Sequence, residues 1–209
     1  MPVVASGRWA VIGSSSAAGM GPSQRALGWV GRLQAEAGAR GAQITNLAIG
    51  GTTTYHGLAV HTAPVPNRPS PHGSINIDAA LALNPTLVLV AYPSNDSANG
   101  YTADETVRNL LAIRDAAAAR GVPVLVQGMQ PRNMSHGARA LLPQIDRRLA
   151  AAIGGCFVEV GSAMAAPDGG INALYDAGDG VHLNDAGHAV LFARIKAVLD
   201  SGRCVRWAP

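Results

Sequence analysis

Cysteine is nearly absent from the 209 residues. Cys156 and Cys204 are the two present, too few for a disulfide-rich scaffold or a four-cysteine zinc site. One bridge remains open to them, because Cys156 precedes an expected strand and Cys204 follows the last expected helix; two separate buried thiols are the alternative. Charge is also scarce, at 14% of residues. Sixteen Lys and Arg stand against thirteen Asp and Glu, and apart from short pairs such as Arg147-Arg148 the basic residues are dispersed. A nucleic-acid footprint needs clustering, so no nucleic-acid partner is expected. No uninterrupted apolar stretch approaches the ~20 residues that span a bilayer, which argues against membrane insertion. Met1 to Trp9 lacks the long apolar core of a signal peptide, and this leaves cytoplasmic residence and export after signal removal both open.

What the chain does have is Ala, Gly and short apolar runs. The length predicts one domain, residues 1–209, large enough to bury a core without metal or disulfide staples. Five runs read as strands: Trp9–Ile12, Gln43–Leu47, Leu87–Ala91, Val122–Val126 and Cys156–Val160. Helical patterning separates them at about Ser23–Gly38, Asp78–Asn84, Thr102–Arg120 and Ser135–Ile153, the last interrupted by Pro143. A final helix follows Asn184. This alternation predicts an α/β domain with a parallel sheet, whose strand ends converge on one rim where ligands bind. Gly13-Ser-Ser-Ser16, Gly50-Gly51, Ser94-Asn95-Asp96 and Gln130-Pro-Arg-Asn133 follow the first four runs. The stretch from Thr52 to Ile75 has four prolines, three histidines and no periodicity. It reads as a long functional loop, a wall of the cleft, or as a simple surface excursion.

Asp179-Gly-Val-His182 puts a carboxylate three positions before a histidine, just ahead of the last helix. An imidazole works as a general base when one ring nitrogen faces the reaction and an acceptor holds the other. The plain alternative is a Gly-rich turn beside a linker histidine. A base is meaningful beside a nucleophile and oxyanion donors, and other strand ends offer both. Ser15 lies in a strand-to-turn-to-helix stretch, Gly51 can present its N–H unobstructed, and the Asn95 amide can donate.

Gly13-Ser-Ser-Ser-Ala-Ala-Gly19, Asn46-Leu-Ala-Ile-Gly-Gly51, Asn84 to Asp96 and Asp179-Gly-Val-His182 resemble, in order and spacing, the four sequence blocks of the SGNH/GDSL hydrolases. The resemblance covers essentially the whole chain. It implies a three-layer, flavodoxin-like sandwich with a five-stranded parallel sheet in the order 2-1-3-4-5, and a serine esterase needing no cofactor or metal. It assigns the nucleophile to Ser15, the base and acid to His182 and Asp179, and the oxyanion hole to Ser15, Gly51 and Asn95. Two positions depart from the family pattern: Ser14 stands where Asp is usual and Pro93 where Gly is usual. Neither removes a reacting group. A branch of the family is similar in both places and shares a Gly-Gly-x-Thr-Thr-Tyr-His stretch like Gly50 to His56.

Ser14 and Ser16 leave the nucleophile ambiguous from residue type alone, and block alignment selects Ser15. Asn95 is otherwise a cap of its own loop. Asp96 reads as a structural carboxylate, and His188 as packed or surface-exposed. Tyr55, His56 and Arg132 are candidate substrate contacts, with a solvated loop arginine as the alternative for Arg132. The low aromatic content suits short acyl esters, including acetylated carbohydrates, as small-molecule partners. An acyltransferase using the same acyl-enzyme, or a noncatalytic carbohydrate-binding relative, are the competing readings. Oligomeric state is not legible.

Overall fold

The computed structural model describes residues 7–206. The extreme N-terminus, read above for a signal peptide, lies largely outside them. Five strands, β1 (Gly7–Gly13), β2 (Ala42–Asn46), β3 (Leu87–Ala91), β4 (Val124–Gln127) and β5 (Phe157–Val158), form one parallel sheet in the order β2-β1-β3-β4-β5. The α-helices are α1 (Ser15–Ala18), α2 (Trp29–Ala39), α3 (Thr54–Gly57), α4 (Ile77–Ala82), α5 (Asn95–Ala98), α6 (Ala103–Ala118) and α7 (His136–Ile153) between the strands, and α8 (Gly161–Met164) and α9 (Asp185–Asp200) after β5.

Side chains alternate across the sheet and build a core on each face. Trp9, Val11, Leu87 and Leu89 pack with Trp29, Leu33, Leu191 and Ile195 of α2 and α9. Ala10, Ile12, Val88 and Val90 pack on the other side with Ile77, Leu110, Ile113 and Ile145 of α4, α6 and α7. The expected three-layer α/β architecture and its strand order are therefore present.

The boundaries shift where local chemistry intervenes. β4 starts at Val124 because Val122 still closes the turn after α6, its N–H donating to Ala117, and Pro123 has no N–H to give a ladder. Cys156 belongs to a short 3₁₀ turn, which leaves β5 at two residues. Gly28 separates α2 from a 3₁₀ turn at Arg25–Leu27, dividing the expected Ser23–Gly38 helix. By contrast, Pro143 does not interrupt α7. The helix loses one backbone bond there but keeps Leu142, Ile145 and Leu149 buried on its inner face, and that packing outweighs the loss. Cys156 and Cys204 are joined in a disulfide, with their Cα atoms 4.4 Å apart. Among the described residues no helix is long and apolar enough to cross a membrane.

Candidate active site

β1 ends at Gly13, where a Cβ would lie 2.3 Å from the Ala91 carbonyl oxygen, so this close approach of β1 to β3 requires glycine. The Ser14 N–H donates to that same carbonyl at 2.9 Å, and the chain turns directly into α1. The three serines then separate by environment. Ser14 and Ser16 are each 2% exposed. The Ser16 hydroxyl donates to Gln130 Oε1 at 2.6 Å, whereas Ser15 is half-buried and its hydroxyl has no partner among the described residues.

β2 delivers its loop beside this turn. The Ile49 N–H still bonds the Gly13 carbonyl, and the Gly50 backbone lies against Ser15, whose Cβ is 3.7 Å from where a Gly50 Cβ would stand. Gly51 follows with φ +80°, a left-handed conformation that glycine adopts without strain. Thr52 locks the loop, its hydroxyl donating to the Gly13 and Ile49 carbonyls at 3.0 and 2.8 Å. From the end of β3, Asn95 Nδ2 donates to the Thr52 carbonyl at 2.8 Å, which brings the third block onto the second.

The Asp179–His182 segment is self-braced. Asp179 Oδ1 accepts the N–H groups of Val181 and His182 at 2.9 and 2.8 Å, and Oδ2 pairs with His182 Nδ1 at 2.6 Å. Burial pushes the Asp179 carboxyl up, but the His182 and Val181 donors together outweigh it and hold the group at about 2. Bonded to an ionised carboxylate, Nδ1 carries the proton in the neutral ring and leaves Nε2 as the basic nitrogen. The segment lies alongside the stretch that follows α1. A Cβ on Gly21 would be 2.9 Å from His182 Cβ and 2.2 Å from the Leu183 oxygen.

His188 secures that contact. It is fully buried, its Nδ1 accepting from the Trp29 N–H at 3.2 Å while Nε2 donates to the Met20 carbonyl at 3.1 Å. Of the two readings the sequence allows, it is the packed histidine. Asp96 is structural as expected: 1% exposed, it accepts the Thr54 N–H at 2.9 Å and the Thr54 hydroxyl at 2.5 Å. Burial raises its pKa, against the pull of the Thr54 and Thr106 bonds.

Each candidate substrate contact has a partner within the fold. Tyr55 is 2% exposed, its hydroxyl donating to Glu105 Oε1 at 2.8 Å, so it packs α3 against α6 and does not line an open cleft. His56 closes the first turn of α3, its Nδ1 accepting the Thr53 N–H at 3.0 Å. Arg132 Nη1 donates to Asn95 Oδ1 at 2.9 Å, so its partner is the candidate oxyanion donor. The long loop is stitched to α6 through Arg68, which pairs with Glu105 at 2.6 Å and stacks 4.1 Å over the Tyr101 ring.

Gln130, which the sequence offers as one polar residue among several at a strand end, has a larger part. Besides accepting from Ser16 it donates from Nε2 to the Val181 carbonyl at 2.8 Å. One 2%-exposed side chain thus bridges the residue after Ser15 to the residue before His182.

Against known proteins, the model of the GDSL-like lipase/acylhydrolase family matches residues 11–190. Among curated proteins, none matches the sequence significantly. Solved structures with the same fold include TesA, at 23% identity and TM-score 0.67, with 93% of this chain and 98% of that one covered. The lipase/acylhydrolase from Enterococcus faecalis aligns at 16% identity and TM-score 0.69, over 94% and 95% of the two chains. A two-domain esterase, CEX, active on acetylated mannans, aligns at 18% identity and TM-score 0.54 over 94% of this chain and 49% of that one.

Proposed function

Since the chain belongs to the GDSL-like lipase/acylhydrolase family, we propose that it is a serine ester hydrolase working through Ser15, His182 and Asp179. The observation that carries this reading is the 2.6 Å Asp179–His182 pair, on a segment that Gln130 ties to Ser16, next in sequence to a half-buried Ser15 whose hydroxyl has no partner among the described residues. His182 Nε2 accepts the Ser15 proton as the hydroxyl oxygen attacks the ester carbonyl. The N–H groups of Ser15 and Gly51 and the Asn95 amide receive the negative charge that develops on the carbonyl oxygen. Protonated His182 then gives its proton to the departing alcohol, leaving an acyl group on Ser15. Water repeats the sequence, losing a proton to His182, and releases the acid. Asp179 remains ionised throughout and stabilises the imidazolium.

Short acyl esters, including acetylated carbohydrates, are the proposed substrates. The low aromatic content supports this, as does the likeness in fold to an esterase active on acetylated mannans. The Cys156–Cys204 bridge favours an oxidising compartment, and hence export. An ester panel of graded acyl length, with acetylated sugars included, tests activity and acyl size together on wild type and Ser15→Ala. Hydrolysis of the short esters that disappears in a folded Ser15→Ala variant is expected. Undiminished turnover in that variant would remove the assignment.

A further inference from the structure

Arg132 is too far committed to Asn95 to be read as an ordinary rim arginine. A primary amide is nearly symmetrical in shape, so its orientation is decided by whether each neighbour donates or accepts. Asn95 meets one neighbour of each kind. The Arg132 guanidinium can only donate and reaches Oδ1 at 2.9 Å; the Thr52 carbonyl can only accept and receives Nδ2 at 2.8 Å. The two partners permit a single orientation. One Nδ2 hydrogen is spent on Thr52, and the second is left for the site. With the amide turned over, Oδ1 would face a developing oxyanion, and a donor would become a repulsive lone pair. Thr52 alone penalises that flip by one neutral hydrogen bond; Arg132 adds a charge-assisted one, which is roughly twice as strong.

Arg132 is itself held in register from both sides. Gln130 donates to the Val181 carbonyl at 2.8 Å, and the Asn133 N–H donates to the Gly180 carbonyl at 2.7 Å. The segment that orients the amide is thereby fastened to the segment carrying His182.

The geometry points to Arg132 as a positioning residue that fixes the Asn95 amide with its nitrogen toward the reacting carbonyl, and through that bond polarises the donor. This rests on Asn95 acting as an oxyanion donor. Because the effect is confined to the transition state, it falls on kcat and leaves substrate binding nearly unchanged.

A double-mutant cycle with para-nitrophenyl acetate as substrate tests it, using wild type, Arg132→Ala, Asn95→Ala and the double variant, with Arg132→Lys as the conservative replacement. Asn95→Ala should lower kcat by about 10²-fold, the loss typical of one oxyanion donor. Arg132→Ala should lower kcat by about tenfold with KM within about twofold, and should add less than about twofold once Asn95 is alanine. Arg132→Lys should recover most of the loss, since an ammonium still donates and cannot accept. If Arg132→Ala raises KM at constant kcat, or if its effect multiplies fully with that of Asn95→Ala, Arg132 touches substrate directly and the inference fails. If Arg132→Lys is no better than Arg132→Ala, charge-assisted donation is not its role. A silent Asn95→Ala would instead overturn the oxyanion assignment. Thermal midpoints measured on all five proteins keep misfolding apart from these outcomes.

Discussion

Asp146 lies on α7 beside a cavity of about 610 Å³, between that helix and the segment following β5. Its Oδ1 accepts the Met129 N–H at 2.7 Å. Burial raises its pKa, the Met129 bond opposes the rise, and nearby Glu159 adds to it, with the result at about 7. A carboxyl raised from 3.8 in this way binds its proton more tightly when folded than when unfolded. Between about pH 4 and pH 7 the unfolded chain has lost that proton and the folded one keeps it. Stability must therefore fall as pH rises through this window and level off above it. The shift corresponds to a ceiling of about 4 kcal/mol, at about 1.4 kcal/mol per pH unit, and solvent in the open cavity should bring the realised change to about half of that.

Asp146→Asn keeps an oxygen for the Met129 N–H and removes the titration. The variant should match wild type near pH 4 and exceed its stability by about 2 kcal/mol at pH 8. Urea unfolding midpoints measured across this range give the comparison directly. A wild type–variant difference that stays constant from pH 4 to 8, or a variant less stable at pH 8, would refute the reasoning.

Replacing both Cys156 and Cys204 with alanine opens a bridge with a sequence separation of 48. Loop-closure entropy makes that worth about 4 kcal/mol, and a measured loss under about 1 kcal/mol would show that the unfolded chain is already constrained. Gln130→Ala strands the Ser16 hydroxyl and the Val181 carbonyl. It should cost about 1–3 kcal/mol in urea unfolding and lower kcat too, while loss of stability alone would confine Gln130 to the fold. Asp179→Asn should reduce kcat by about 10³–10⁴-fold with little change in melting temperature, because an amide no longer selects the tautomer. With the native carboxyl held at about 2, Asp179 stays ionised throughout the range from pH 7 to 4. A decline in rate between pH 7 and 4 should therefore persist in form, at a lower level, in Asp179→Asn; a decline that vanished would assign the titration to Asp179.

Strands buried on both faces can be read directly from composition, and β3 is the plainest example, with Leu87 to Ala91 all buried and apolar. β2 at the sheet edge alternates in exposure, and its limits shift by one residue. Strand order is a different matter. Alternating helices and strands predict a parallel sheet, but no run of residues states which strand neighbours which. The order 2-1-3-4-5 followed from the resemblance. Pro143 shows the converse error, where a local rule is sound and tertiary burial overrides it.

The site divides along the same line. Asp179 and His182 were visible because the pair is local: three positions apart, they bond each other through both backbone and side chain. Whether Ser14, Ser15 or Ser16 carries an open hydroxyl is not a local property. Gln130, 114 residues away, occupies the Ser16 hydroxyl, and the folded surroundings bury Ser14 to 2% exposure while leaving Ser15 half-buried. Tyr55 read as a loop aromatic fit for a pocket because Glu105, the residue that takes its hydroxyl, lies fifty positions further along the chain. Gln130, Arg132 and Asn133 make the same point together. As a string they are an unremarkable polar strand end, and folded they reach the Ser16 hydroxyl, the Asn95 amide and the His182 segment. A residue that reacts tends to carry its signature in its own type and neighbours. One that aims another group is defined by what lies opposite it after folding, which is why the Asp179–His182 pair stands out in the sequence and the residues that brace its segment do not.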